Sequence, residues 1–520
     1  SESCNGFSLQ SSLFCQNPLS LRTETESVNM VKAVVGEETQ LKSIEDRLSQ
    51  SRFPVQVGLV IGKISSPLER GFVFDLVPTP PNDAGEPASS LLETVKDEKK
   101  KGPKPKSQAA DSPSLFIDDD WVAEHARQVA RMLVGGMKVV GIYIWVTNDV
   151  FKNSTIMLSQ SIKGVAEATP LLQTDREERL LIHISYSPIR WTCRSCTWTS
   201  NTTSSSLQPC DFKMGRVLTS LQTFKCTYNF NLRLLVCHES ASNLQTLSDI
   251  LCQGISHHAK ELKDAKAVID GNLVVNDEPC TLDGVHEVEL LLPFMKDTYA
   301  EACSRKDALG VLVFSGSVCA FAYLNSKEAI SQAVSDIKGD IITSLQSRLD
   351  IICDEAYGDV WPKDDISPEA SDGTSTDKPV SQLVLHLLRK ECSLSFPRRV
   401  FVPWLAGTYI CDYLQPSETL EVLNDHCVEL MSMEAPAIAS TILEPEIEAA
   451  PSLVTKSFWD VANPFHSASS LPLEKSGGHA REENGKESTK SNNVNVKAAI
   501  FFLLLSILVG FVLYVVRRSR

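Results

Sequence analysis

From Ala498 to Val516 the chain runs nineteen residues, AAIFFLLLSILVGFVLYVV, without a charge. Lys497 precedes the run, and Arg517, Arg518 and Arg520 follow it. As a helix rising about 1.5 Å per residue it would be roughly 28 Å long, close to the hydrocarbon thickness of a bilayer. A buried core helix is the competing explanation, but such helices seldom go this far without a charge or stop so near a terminus. The pattern predicts one C-terminal transmembrane helix over 498–516, with everything before it forming a head and a stalk.

The head reads as an ordinary globular chain, at 42% hydrophobic and 22% charged residues. Its roughly 490 residues suggest two or three domains. A formal net charge of -15 argues against nucleic acid, which is bound through a basic face that displaces counterions. There is no P-loop and no G-x-G-x-x-G, so no nucleotide cofactor is expected. The first residues, SESCNGFSLQSSLFCQNPLSL, lack a basic region leading into a long apolar core. A lone C-terminal span without a secretory signal implies insertion after synthesis and a cytosolic head. Fifteen cysteines, an odd number scattered from Cys4 to Cys427, fit reduced thiols. The arginines after the span pull the other way under the positive-inside rule. The sequons at Asn153 and Asn201 would carry glycans only in a lumenal head. The cytosolic reading is the one taken. Residues 1–29 are Ser/Thr/Asn-rich without periodicity, either a disordered leader or a spurious extension ahead of Met30.

Composition divides the head. Residues 79–114 combine Pro, Gly and a lysine cluster and predict a disordered insertion. Residues 362–380 predict a loop and 434–496 a flexible stalk, with an apolar island at Phe458, Trp459, Val461 and Phe465 that is either a docking peptide or a local contact. Residues 30–165 are expected to form one domain and 166–433 a second mixed α/β region. The stretch after Met30 reads as helical. Val55–Gly62 and Gly71–Val77 read as strands, and so does Lys138–Val146. Asp118, Asp119 and Asp120 offer an N-cap and an acidic first turn for a helix that Gly135-Gly136 ends. Later strands are expected at Ile182–Tyr186, Phe230–Cys237, Glu287–Leu292, Gly310–Tyr323, Val400–Pro403 and Thr408–Tyr413. A long amphipathic helix is expected over Lys327–Ala356, and a last one after Pro416.

Candidate chemistry is sparse. Cys193-Arg-Ser-Cys196 has zinc-knuckle or redox spacing but lacks a second pair, so structural thiols are the expectation. His257-His258 lies in a polar stretch and reads as solvated. Asp425-His426-Cys427 are consecutive on one helix and cannot act together as nucleophile and base. The helix from Asp118 carries an apolar stripe that two strands alone would not cover. Trp121, His125, Val129 and Met132 are therefore the candidate interface residues, with packing inside the head as the alternative for Trp121.

The order strand, strand, helix, strand, with VGLVIGK first and VVGIYIW last, resembles the start of an MPN domain, the α/β fold of JAMM metallo-isopeptidases. Catalytic members place His-x-His after the last of these strands to hold zinc. Here those positions are Ile144 and Val146, so a membrane-anchored metallo-isopeptidase is disfavoured and no metal is expected. A tail-anchored tether of the SNARE type is the other alternative, but 466–496 shows no apolar heptads. The expected class is thus α/β (α+β), a non-catalytic MPN-like N-terminal domain followed by a second mixed α/β region, a stalk and the span.

Three further stretches carry a wider resemblance: Trp121–Gly136 leading into Val140-Gly141, Arg399-Val-Phe-Val-Pro403, and Cys411-Asp-Tyr413 with Asp425-His426. Together they are similar to the odorant-response-abnormal protein 4 family, from about Met30 to the C-terminus. Arg399, Phe401, Pro403, Cys411, Asp412 and Tyr413 are the motif positions. The WLAGTYICDY segment is about one residue shorter than the family's. Cys193 matches a family cysteine and Cys196 does not. The resemblance implies a non-enzymatic, endoplasmic-reticulum membrane factor assisting the folding, maturation or trafficking of multispanning receptors. It also implies partnership with the ubiquitin-fold-modifier-specific cysteine protease.

Overall fold

The computed structural model describes residues 31–65, 68–92, 114–169, 176–199, 207–237, 247–275, 284–293, 308–358, 396–433, 439–446 and 452–455. The chain opens with strand β1 (Ala33–Glu37) and helix α1 (Glu38–Gln50), then β2 (Gln56–Ser65) and β3 (Arg70–Pro78). A small ladder of β4 (Ser89–Leu92) and β5 (Ser114–Ile117) leads into α2 (Asp119–Met132) and β6 (Lys138–Trp145). Helices α3 (Asn148–Asn153) and α4 (Thr155–Ala168) then precede β7 (Arg176–Tyr186), β8 (Ile189–Thr199) and β9 (Gln208–Gly215).

Seven of these strands close into a barrel in the order β1-β3-β2-β6-β7-β8-β9. Three of its ladders are parallel, β6–β7, β1–β9 and β1–β3. Gly141 to Trp145 run beside Leu180 to Ile184, and Ala33 to Glu37 run beside Asp211 to Gly215 and close the ring. The first parallel ladder needs a crossover, and α3 and α4 supply it. β2 and β3 are apolar on both faces because both faces are covered. Val34, Val73, Val60, Tyr143, Ile182 and Cys193 fill one side with Leu41, Ile44 and Leu48 of α1. The other side carries Val122 and Val129 of α2 and Leu158 and Ile162 of α4.

A second sheet follows. Its spine is the long antiparallel pair of β10 (Leu221–Cys237) and β14 (Ala308–Asn325). Between them in sequence lie α5 (Leu247–Asp264), β11 (Lys266–Ile269), β12 (Asn272–Leu273) and β13 (Val285–Leu291). Helix α6 (Ile330–Gly358) comes next and packs Ile337, Ile341, Leu345 and Leu349 with α5 against Phe224, Phe230 and Phe314. The hairpin β15 (Arg398–Pro403) and β16 (Tyr409–Leu414), helix α7 (Leu420–Met431) and β17 (Ser452–Thr455) complete the described chain, with sheet order β12-β11-β13-β10-β14-β17.

The expected fold class is corrected by this architecture. β2, β3, α2 and β6 do follow in the MPN-like order, but they are an arc of a closed barrel that β7, β8 and β9 complete beyond residue 165. Among the described residues no helix is long and apolar enough to cross a membrane. Residues 498–516 lie outside the described residues, as do 1–29, 362–380 and the island from Phe458 to Phe465, and the transmembrane helix is not carried forward. Other expectations change locally. The apolar run Ala33–Val35 pairs as β1 instead of joining the helix. Within 79–114, Ser89–Leu92 form β4 and pair with β5, and Ala88 and Ser89 are buried. Within 434–496, Leu443 pairs with Phe401 and Glu446 is buried against Arg348.

Candidate functional site

The three stretches that carried the family resemblance lie far apart in sequence and meet in space. Asp118 caps α2 as expected, its Oδ1 accepting from the Trp121 N–H at 3.1 Å. One face of the helix then turns inward, leaving Val129 fully buried and Met132 and His125 at 3% exposure. Burial pushes His125 down to about 4, so it is neutral. Its Nε2–H donates to the Leu430 carbonyl of α7 at 2.9 Å, and its Nδ1 faces the Thr79 hydroxyl at 3.3 Å. Of the four candidate interface residues only Trp121 keeps surface. Its indole N–H donates to the Pro80 carbonyl at 2.9 Å, which fixes the ring at the rim of an open depression. That depression, about 440 Å³, is lined by Asn82, Asp83, Ala84, Asp118, Asp120 and Trp121.

Beyond α2 the chain passes through Gly135 and Gly136, both at positive φ. A Cβ on Gly135 would lie 2.1 Å from the Tyr323 ring, and one on Gly136 would lie 2.4 Å from an Asp336 carboxylate oxygen. The glycine pair therefore permits contact with β14 and α6 as well as ending the helix. The Tyr323 N–H donates to the Gly135 carbonyl at 2.9 Å.

That bond belongs to a series along one edge of β14. Cys319 and Phe321 direct their N–H groups to carboxylates, Glu446 at 2.8 Å and Asp340 at 3.3 Å. The Cys319 carbonyl accepts from Arg399 at 3.1 Å, and the Tyr323 carbonyl accepts from Lys63 at 3.2 Å. The sealing groups are themselves paired. Arg399, 2% exposed, forks onto Asp340 at 2.7 and 3.1 Å. Arg348 pairs with Glu446, and Lys63 sits 2.6 Å from Asp336 and 3.6 Å from Glu328. Burial opposes the Lys63 charge, but Asp336 and Glu328 overcome it and hold the ammonium above its ordinary range. The Arg399 guanidinium lies 5.0 Å from the Phe401 ring and 5.8 Å from the Tyr413 ring, and Arg348 lies 5.7 Å from the same tyrosine.

The motif residues are thus the walls of a buried ionic seam where the barrel, the second sheet and the hairpin meet. Phe401 and Cys411 are fully buried, and the Cys411 thiol, pushed up to about 11 by burial, donates to the Arg131 carbonyl at 3.4 Å. Pro403 stands at the turn end of the hairpin, opposite Tyr409. Asp412 faces outward and pairs with His426 at 2.7 Å. Asp340, Asp336, Arg348, Lys63 and Glu446 were missed as site residues, because a charge on a helix, strand or loop ordinarily faces water. The one available signal was a charge at a buried position of an otherwise apolar stripe.

Elsewhere, His258 is buried, not solvated, and shares a bond with the Tyr228 hydroxyl at 3.1 Å. His426 turns to Asp412, leaving Cys427 buried beneath the helix. Ile144 and Val146 are fully buried. No group of three His, Cys, Asp or Glu able to hold a metal occurs among the described residues.

Comparison with known proteins gives this arrangement a family. The chain is 26% identical over 408 residues to Protein odr-4 homolog of Mus musculus, covering 73% of this chain and 79% of that protein. It is 28% identical over 400 residues to the Homo sapiens protein of the same name, covering 72% and 77%. The Dictyostelium discoideum homologue is 24% identical over 404 residues, covering 77% and 80%. Among solved structures, UfSP from C. elegans aligns with a TM-score of 0.32 and 7% identity, over 78% of this chain and 58% of that one. A score that low carries no argument. The profile of the Odorant response abnormal 4-like (ODR4-like) family matches residues 58–442, most of the length, and the chain belongs to that family.

Proposed function

We propose that this chain is a non-enzymatic factor that assists the folding, maturation or trafficking of multispanning receptors by contact, and that it binds the ubiquitin-fold-modifier-specific cysteine protease. What supports this reading most is the placement of the motif residues. Arg399, Phe401 and Cys411 are buried, and the Arg399 charge is matched by Asp340, so they hold three elements together and reach no soluble substrate.

The contact surface in this proposal is the Trp121 depression. A half-buried indole beside Asp83, Asp118 and Asp120 offers an aromatic anchor within an acidic rim, which suits a partner presenting an apolar side chain flanked by Lys or Arg. The experiment is capture of the purified protease by the full chain at micromolar concentration. Trp121→Ala should weaken capture by about 2 kcal/mol, roughly thirtyfold. Its unfolding free energy should fall by less than ~1 kcal/mol, since the ring is only partly packed. Wild-type chain that fails to capture the protease removes the pairing. Lost capture accompanied by an equal loss of stability returns Trp121 to the core.

A further inference from the structure

The Cys193-Arg-Ser-Cys196 spacing invites a pairing that a β-strand forbids. Successive side chains alternate between faces, so two cysteines three residues apart point to opposite sides of β8. Cys193 belongs to the apolar cluster it shares with Val34, Tyr143 and Ile182, and directly across the β8–β9 ladder from it stands Cys210. Residues opposed in an antiparallel ladder have Cα atoms about 4.5 or 5.5 Å apart, and both values lie within the roughly 4.4–6.8 Å a disulfide needs. The two side chains leave their strands on the same face, and the thiols are within hydrogen-bonding reach of each other.

We propose that Cys193 and Cys210 form a peroxide-responsive disulfide across the β8–β9 ladder. The two sulfurs are unequally placed for the reaction. Cys193 is 3% exposed, whereas Cys210 is half-buried and open to a small oxidant. The neighbouring Cys193 thiol holds Cys210 down at about 7, against the opposing effect of burial, and the Cys210 thiol itself donates to the Val31 carbonyl at 3.4 Å. Glu178 of β7 faces the pair, and its carboxylate opposes a thiolate at Cys210.

In the reaction, Cys210 loses its proton to solvent and its thiolate attacks one oxygen of a hydroperoxide. The O–O bond breaks, hydroxide leaves and takes up a proton, and Cys210 becomes a sulfenic acid. The Cys193 sulfur then attacks the Cys210 sulfur. An S–S bond forms as the S–O bond breaks, and the Cys193 proton leaves with the hydroxyl as water. Two thiols lose two hydrogens and two electrons, and hydrogen peroxide becomes two waters. Metal capture by the same thiols would need further ligands, and no group of three forms among the described residues.

Structure gives the bond a consequence. β9 is held to β8 by three register pairs only, and to β1 by the five parallel pairs that close the barrel. A covalent link at Cys193–Cys210 would fasten that short ladder and so fix the strand on which closure depends.

The test is a non-reducing peptide map of the full chain, reduced, treated with hydrogen peroxide, and blocked with N-ethylmaleimide. The expected product is a Cys193–Cys210 cross-linked peptide, two hydrogens lighter than its parts and lost on reduction. Cys210→Ser should abolish it and Cys196→Ser should leave it. In the untreated protein at neutral pH, iodoacetamide should label Cys210 at least roughly tenfold faster than Cys411 or Cys427. Cys210 oxidised without the cross-link, Cys193 joined to another cysteine, or both thiols left reduced overturns the proposal. If Cys210→Ser does not fold, the wild-type map decides alone.

Discussion

The barrel and the second sheet answer the same problem in opposite ways. A sheet edge presents unpaired N–H and C=O groups that must be covered or paired. The barrel removes its edges by closing β9 onto β1 through backbone pairing, with Val34, Phe212 and Met214 of the closing strands packed into its apolar cluster. β14 cannot close. It pairs with β10 along one side, with β17 only over Gly310 to Val313 on the other, and between Cys319 and Tyr323 it is sealed by Glu446, Asp340, Arg399, Lys63 and the Gly135 carbonyl. Closure asks for a hydrophobic pattern. Sealing asks for particular charged groups delivered from several elements at fixed distances, and Arg399, Phe401, Cys411 and Tyr413 gather at that seam.

The comparison breaks or holds first at Arg399. Arg399→Ala leaves Asp340 buried without its counter-charge and the Cys319 carbonyl without its donor, and should cost about 3–5 kcal/mol in denaturant unfolding. Adding Asp340→Leu to Arg399→Met should recover only part of that loss, because it removes the lone charge but leaves the Phe321 N–H without its acceptor. A single-variant cost under ~1 kcal/mol would mean that the edge is covered by packing alone, and the contrast with the barrel would disappear.

Gly135 tests the same seam from the backbone side. Gly135→Ala adds a methyl 2.1 Å from the Tyr323 ring at a φ of +72°, and should cost about 2 kcal/mol by thermal or chemical unfolding. Tyr323→Leu in that background should return part of the loss by opening space. No recovery would mean that the positive φ, not the collision, sets the cost.

How far the sequence foretold all this follows the same division. Elements with an uninterrupted period were legible: α2 begins one residue after its Asp118 cap, and β2, β3, β6 and β14 fall close to their expected ranges. The closure was not, because parallel ladders such as β1–β9 join residues about 180 positions apart and leave no local turn signal. Leu423 and Cys427 of α7 are fully buried, whereas Leu420 and Leu430 are half-buried. His125, Val129 and Met132 show the limit of a stripe argument. Periodicity says that a face is covered, and here α7, the hairpin and the barrel cover it within the chain. Asp340 and Arg348 were illegible because a charge on an amphipathic helix ordinarily faces water, and only the three-dimensional approach of Arg399 and Glu446 makes the inward placement affordable.

The smallest expected effect separates the seam from its solvent-facing rim. Asp412 and His426 belong to the family stretches yet lie outside the buried ion pairs, with the imidazole side chain 43% exposed. The hydrogen bond that His426 donates to Asp412 is the main cause that holds the imidazole above its ordinary range, against the effect of burial, with Glu418 and Glu429 adding to it. A histidine raised in the folded state binds its proton more tightly there than in the unfolded chain. Its contribution is complete below the unfolded value near 6.5 and is lost as pH rises through the folded value. Exposure screens the pair, so the contribution should stay below ~1 kcal/mol. Asp412→Asn should therefore be less stable than wild type at pH 5.5 and match it at pH 9, and raised salt should shrink the difference at the acidic end. A deficit of the same size at both pH values would show that Asp412 acts through its backbone contact to Tyr413, at 2.8 Å, and belongs with the structural residues of the seam.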